Sequence, residues 1–218
     1  MPKPMFVWSG TAWVSVASEV ESLAGFATQS YADNIPGSKL IVPTSVAVGS
    51  GSGSVSSNGA VSFTTASSIS VNGCFSSTYL HYGMTLTMIS TNDTEINFRW
   101  RVSGSDNSTS NYSWAQGGTF AASGTFGSGT GNNVAQFRIT SSNAANSQKF
   151  GTYTLYNPFA TDTSGFTGNL AYSSGTANYY GGSIGGGFNG TTSFDGFSIY
   201  PTAGTITGSL RIYGIKNG

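Results

Sequence analysis

The side chains that could perform chemistry are few and lie far apart in this sequence. His81 is the only histidine and Cys74 the only cysteine among 218 residues. A serine–histidine–aspartate triad could formally use His81, but no Gly-x-Ser-x-Gly turn accompanies it. A lone thiol cannot form an intramolecular disulfide. We therefore expect His81 to be a hydrogen-bonded structural histidine and Cys74 to be a small buried side chain.

Acidic residues could hydrolyse a glycosidic bond only if two of them faced each other across a cleft. Asp93 and Glu95 lie two positions apart beside a predicted strand, a spacing that is also common at hairpin ends. Asp106, Asp162 and Asp195 are isolated, and the sequence around Asp106 offers only a fragment of a calcium loop. We therefore predict no catalytic residue, no metal and no cofactor, and a protein that is not an enzyme. A polysaccharide depolymerase is the enzymatic alternative.

Aromatic residues within two segments rich in Gly and Ser are the remaining candidates for ligand contact. The segments 104–118 and 165–190 interrupt the strand pattern, so we predict that both are long loops. Tyrosine and tryptophan among asparagine, serine and glycine can stack on sugar rings. Alternatively, the same rings cover the ends of the domain or pack between subunits. The candidate ligand-binding residues are Tyr112, Trp114, Tyr179 and Tyr180.

The charge content limits the partners of this surface. Lys and Arg total eight, Asp and Glu total eight, and the formal net charge is zero. Without an excess of basic residues the chain has no stripe that could hold phosphates, which argues against nucleic acid and anionic membranes as partners. No apolar run is long enough to cross a bilayer, and no secretory signal opens the chain, so we expect neither membrane insertion nor export by a cleaved signal. A polar but uncharged surface suits a protein held in a large assembly.

Residues 1–38 are predicted to form an anchoring and oligomerisation segment. Two short strands around Ser9 and Gly10 would form a hairpin, which is too small to bury its own large apolar side chains. A helix is predicted next, because Ser18 and Glu21 form a capping box and apolar residues then recur at helical spacing. This apolar stripe either docks on the rest of the chain or bundles with copies of itself. The predicted anchoring and oligomerisation residues are Phe6, Trp8, Trp13, Val20, Leu23, Ala24, Ala27 and Tyr31.

Residues 39–218 are predicted to form one all-β surface domain. The clearest strand has Ile96, Phe98 and Trp100 on one face and Asn97 and Arg99 on the other, as expected of an antiparallel sheet with one wet face. The Gly-Ser run at 49–54 is predicted to be a loop. Eight to ten strands with long excursions between some of them favour a two-sheet antiparallel sandwich of jelly-roll type.

Several segments resemble structural proteins of tailed bacteriophages, notably those of marine and cyanobacterial hosts. They are WSGTAWV at 8–14, LAGFATQSYAD at 23–33, PGSKLIVPTSV at 36–46, SISVNGCF at 68–75 and GSLRIYG at 208–214. The resemblance implies a virion component, often a trimeric fibre or a surface decoration, made in the cytoplasm of a bacterial host. In such fibres the stretch that corresponds to 27–31 lies in a short helical bundle, which agrees with the apolar stripe.

Together these features predict a non-enzymatic virion surface protein, either a short fibre, a knob, or a decoration or cement protein. The expected partners are two further copies of the chain in a homotrimer, other capsid or tail proteins, and host surface glycans. The alternative is a carbohydrate-binding or receptor-binding β-sandwich module of a tail fibre.

Overall fold

A computed structural model describes residues 6–8, 11, 13–15, 37–141, 144–173 and 178–215. The chain divides into two compact units, Met1–Gly37 and Ser38–Gly218. In the first unit β1 (Phe6–Trp8) pairs antiparallel with β2 (Trp13–Ser15), so the predicted hairpin is confirmed. The predicted helix, with Val20, Leu23, Ala24, Ala27 and Tyr31, lies outside the described residues. In the described part of the chain, no helical segment has the length and apolar character that crossing a lipid bilayer requires.

The second unit is an all-β sandwich of two antiparallel sheets, as predicted. The large sheet runs in the order β12 (Phe126–Val134), β11 (Tyr112–Phe120), β16 (Tyr179–Phe188), β15 (Ser164–Ser173), β14 (Gln148–Tyr156), β8 (His81–Ser90) and β18 (Ile206–Ile215). The two halves of β18 then pair with β3 (Ser38–Ile41) and with β6 (Val61–Ala66), which continues to β5 (Ser52–Val55).

The small sheet runs in the order β4 (Ser45–Val48), β7 (Ile69–Asn72), β17 (Gly196–Pro201) and β9 (Ile96–Val102), and the far edge of β9 pairs with β10 (Ser105–Asp106) and β13 (Phe137–Thr140). The chain crosses between the sheets at β7–β8, β8–β9, β13–β14 and β17–β18, which is the connectivity expected of a jelly roll. At the edges of the sandwich β4 lies beside β5, and β13 lies beside β11 and β12.

Aromatic rings fill the space between the sheets. Trp100 is fully buried and stacks on Phe194 with the ring centroids 5.6 Å apart, and Phe98 stacks on Phe197 at 5.1 Å. The predicted inward face of β9 is therefore confirmed for Ile96, Phe98 and Trp100, whereas Val102, which the same alternation places on that face, is 38% exposed. The other face is only partly wet, because Asn97 is 2% exposed and Arg99 and Arg101 are half-buried. In the sheet register Asn97 lies between the long side chains of neighbouring strands, which explains its burial.

The prediction that segments 104–118 and 165–190 are loops is wrong, because β11, β15 and β16 occupy most of them. The run at 49–54 likewise enters β5. Glycine and serine have low strand propensity, so composition alone points away from strands in these segments. Burial alternates with period two along β15 and β16, which shows that tertiary packing overrides the weak local preference.

The inner face of the large sheet pairs glycines with aromatic rings from adjacent strands. Trp114 on β11 is in register with Gly131 on β12, and a Cβ atom at Gly131 would overlap the ring of Trp114. Tyr153 on β14 is in register with Gly168 on β15 and fills the space above that glycine in the same way. Each ring therefore occupies volume that a side chain on the neighbouring strand would otherwise need.

Gly181 and Gly182, which are adjacent on β16, allow this packing of aromatic rings against glycines to be tested. A Cβ atom at Gly182 would lie 2.5 Å from the carbonyl oxygen of Gly117 and 2.8 Å from the ring of Tyr180, whereas a Cβ atom at Gly181 would meet nothing within 4 Å. We expect Gly182→Ala to lower the free energy of unfolding by about 1–3 kcal/mol, and Gly181→Ala to change it by less than about 0.5 kcal/mol. Urea denaturation measures both, and equal effects would contradict this packing.

Candidate functional site

The residues considered for catalysis are dispersed over the part of the chain that the structure describes. His81 begins β8, and its ring meets Tyr156 edge to face with the centroids 5.2 Å apart. Its Nδ1 is buried without a hydrogen-bond partner among the described residues, so the prediction of a fully hydrogen-bonded histidine is wrong for this atom. Cys74 is buried as predicted, and burial raises the pKa of its thiol well above the ordinary value. A thiol with a raised pKa is a poor nucleophile at neutral pH.

Four of the five described carboxylates lie in structural contacts, and the fifth, Asp93, is exposed. Glu95 pairs with Arg138, and Asp106 pairs with Arg101 and accepts a hydrogen bond from Ser198 at 2.7 Å. Asp195 Oδ2 accepts from the backbone N–H of Ser103 at 3.0 Å, whereas its Oδ1 is buried without a hydrogen-bond partner among the described residues. Asp162 accepts from the backbone N–H of Thr163 at 2.7 Å. Within the described ranges, no group of three or more His, Cys, Asp or Glu side chains could hold a metal ion.

Lys149 is the cation with the most perturbed environment among the described residues. It lies on the inner face of β14, is fully buried, and donates hydrogen bonds to the hydroxyl groups of Ser90 at 2.6 Å and Ser147 at 3.2 Å. Burial lowers its pKa to about 8, against a smaller opposite effect of Asp93. Perturbed pKa values often mark functional sites. Here the amine is enclosed between the sheets, so the shift reflects packing.

The four predicted ligand-binding residues do not come together. Tyr112 is fully buried, and its hydroxyl donates to the carbonyl of Asn107 at 2.7 Å. Tyr180 is 1% exposed, whereas its neighbour Tyr179 points to the opposite face of β16 and is 54% exposed. Trp114 is half-buried beneath the guanidinium of Arg138, with the carbon of that group 4.3 Å from its ring centroid. The burial of Tyr112, Tyr180 and Trp114 fits the alternative that these rings pack the domain, and ligand binding by the four residues stays a prediction.

The outer face of the large sheet carries the main concave surface that we find in the described part of the chain. Three shallow depressions adjoin one another across β18, β8, β14, β15 and β16. The central one shares Thr85 and Thr87 with the depression on the β18 side, and it shares Thr152 and Asn169 with the depression on the β16 side. We call this surface the transverse groove. Its outward-facing lining residues are Ser209, Arg211, Thr85, Thr87, Phe150, Thr152, Asn169, Ala171 and Ser183.

In-register pairing brings these residues together from distant parts of the chain. Thr85 lies opposite Thr152, Thr152 opposite Asn169, and Asn169 opposite Ser183, so one row of small polar side chains crosses four strands. Ser183 donates a hydrogen bond to Asn169 Oδ1 at 3.1 Å. Arg211, opposite Thr85, is the one lining residue of the described groove that is charged at neutral pH.

Two exposed phenylalanine rings interrupt this polar face, in addition to Tyr156 and Tyr179 at outward positions of β14 and β16. Phe150 is 40% exposed and lines the central depression. Phe126 on β12 is 67% exposed, and its ring reaches over Gly117. Their row runs Thr87, Phe150, Ala171, Gly181, Thr119 and Phe126. The face thus combines hydroxyl and amide groups with exposed aromatic rings, which suits binding by hydrogen bonds and stacking.

Sequence reasoning missed Phe150, Asn169 and Ser183 as candidate surface residues. The signal was present in the period-two alternation of Phe166, Gly168 and Leu170 with residues 167 and 169.

No protein-family model matches this sequence, and no curated protein matches it significantly.

The buried amine predicts an unusual pH dependence of stability. The pKa of Lys149 is about 8 in the folded chain and near 10.5 when unfolded, so its charge opposes folding below pH 8 and ceases to do so as the pH rises. We expect the contribution of Lys149 to the free energy of unfolding to rise by roughly 2 kcal/mol between pH 7.5 and pH 9.5. Over the same range Cys74 and the tyrosines begin to ionise in the unfolded chain, whereas burial raises the pKa of Cys74 and Tyr112 in the folded chain, and this lowers stability. The effect of Lys149 is therefore the difference between the parent and a variant that lacks the amine.

Urea denaturation at a series of pH values measures this change, with Lys149→Met as the matched variant. The variant should be more stable than the parent at pH 7.5, and this advantage should shrink by roughly 2 kcal/mol by pH 9.5, because the ionisation of Cys74 and the tyrosines is common to both chains. A difference between the two chains that stays constant from pH 7.5 to pH 9.5 would rule out the lowered pKa.

Proposed function

We propose that this protein is a non-enzymatic surface protein of a tailed-bacteriophage particle, a short fibre, knob or decoration protein that works through its contact surfaces. The proposal rests on where the charged and the uncharged polar groups lie among the described residues. Four of the five described carboxylates lie in ion pairs or backbone contacts, while the large sheet presents an open and nearly uncharged outer face. Such a molecule is equipped for contact and poorly equipped for breaking bonds.

The architecture supports this role. The crossings between sheets tie distant segments together, and β4 lies beside β5 and β13 beside β11 and β12 at the edges of the sandwich. The zero net charge and the sequence resemblance to virion proteins at 8–46 add the context of a large assembly.

The anchoring part of the proposal rests on the first 38 residues. In this proposal the apolar stripe of Val20, Ala24, Ala27 and Tyr31 joins three copies of the chain. Aromatic residues of the β1–β2 hairpin attach the trimer to another capsid or tail protein.

Light scattering of the purified chain tests the trimer. We expect a mass of about three times the 22.4 kDa of one chain. The double variant Val20→Asp with Ala27→Asp should give a monomer, because charges would enter the apolar stripe. Ser22→Asp lies on the opposite side of the predicted helix and is the matched control. A parent chain that is monomeric at micromolar concentration would contradict the trimer.

Immunogold labelling of purified phage particles tests the location. Antibodies against residues 38–218 should label intact particles, since the sandwich faces outward in this proposal. Unlabelled particles that also lack the protein by mass spectrometry would overturn the virion assignment.

A further inference from the structure

We propose that the transverse groove binds a neutral glycan chain laid across the strands of the large sheet. This inference deepens the proposed function, on which it rests for the outward position of the sandwich. It differs from the aromatic loop site predicted from sequence, because it uses the outer face of β18, β8, β14, β15 and β16. Tyr112, Trp114 and Tyr180 take no part in it.

The dimensions of the groove suit an extended polymer. It crosses five adjacent strands, and four strand spacings correspond to about 19 Å. The surface is shallow because the outward positions of β15 and β16 include the small residues Ala171 and Gly181. A Cβ atom at Gly181 would meet nothing within 4 Å. A chain of several sugar rings can therefore lie along the groove without displacing any side chain.

The polar groups of the groove match the hydroxyl groups of sugars. Thr85 and Thr152 can each donate and accept a hydrogen bond through a hydroxyl group, and the Ser183 hydroxyl, which donates to Asn169, can accept one. The carbonyl oxygen of Asn169 already accepts from Ser183, so the NH₂ group of that amide is the part that can donate to a ligand. Neighbouring donors and acceptors at the strand spacing of about 4.8 Å can engage successive hydroxyl groups of one ligand.

Exposed rings supply the second element of sugar recognition. The exposed rings on this face of Thr, Ser, Asn and Gly include Phe150 and Phe126, which carry no polar atom, besides Tyr156 and Tyr179. An aromatic ring packs well against the apolar face of a sugar, which carries C–H groups. Phe150 lies within the groove, and Phe126 lies in the same row four strands further along.

The charge of the groove selects among possible occupants. Arg211 at the β18 end is the one charged lining residue among those described, and the rest of the groove is neutral. A polyanion would find too few cations there to offset its loss of hydration, and a charged protein surface would leave its own charges unpaired. A neutral polysaccharide carries no charge, so its binding requires neither the dehydration of anions nor the burial of unpaired charges.

Affinity electrophoresis tests the inference with named probes: dextran, mannan and galactan as neutral polymers, and alginate as the polyanion. We expect at least one neutral polymer to retard the full-length protein, and alginate to retard it less. Phe150→Ser and Asn169→Ala should each weaken that binding about threefold to tenfold, as the loss of one stacking or hydrogen-bonding contact predicts.

Phe159→Ser is the matched control, because Phe159 is 37% exposed, close to the 40% of Phe150, but lies outside the groove. It should leave binding unchanged, and thermal unfolding should show that the compared variants are folded. Binding that falls equally in Phe159→Ser, or a preference for alginate, would overturn the inference.

The remaining outcomes separate this inference from the proposed function. No retardation by any neutral polymer, with gold labelling of particles retained, would remove the glycan site and leave the virion role standing. A fall in oligomer mass for Phe150→Ser would identify the groove as a contact between copies and would also overturn glycan binding. Glycan binding without particle labelling would remove the virion role alone.

Discussion

The extent of the large sheet depends on the fit between glycines and aromatic rings on its inner face. Trp114, Tyr153 and Tyr180 each fill volume above glycines of the same or neighbouring strands. A strand rich in glycine has little side-chain area to bury, so on its own it would gain little from joining a sheet. A ring supplied by a neighbouring strand provides that area, and the glycine provides the room for the ring. Each strand therefore needs its neighbours to be in register.

The same constraint shapes the outer face. Because the sheet continues through β14, β15, β16 and β11, their outward positions form long rows across the strands. Thr, Ser, Ala and Gly at these positions keep the rows low, which leaves a broad shallow surface in place of a deep cleft. A surface of this form is suited to an extended ligand or a flat partner, and it gives little exclusion of water, which most bond-breaking sites need.

The sequence predicted the architecture where hydrophobic alternation is strong. Ile96, Phe98 and Trp100 define β9 without help from the structure, and the same holds for Ile206, Leu210 and Ile212 on β18. It failed in segments 104–118 and 165–190, where rings from other strands fill volume above the glycines. A local pattern cannot report that volume, because the partner residues are distant in sequence. For the same reason Tyr112 and Tyr180 resembled loop aromatics, although both are core residues.

The distribution of charge links composition to the candidate site. The pairs Arg101–Asp106 and Arg138–Glu95 involve strands or edges of the small sheet, and Arg99 lies over the ring of Tyr200 in that sheet. These contacts hold charges where they stabilise loops and strand edges. The outer face of the large sheet is thereby left to hydroxyl and amide groups, which exchange hydrogen bonds with water at little cost. A ligand that offers the same groups can replace that water, and the exposed ring of Phe150 then gains contact that water cannot provide.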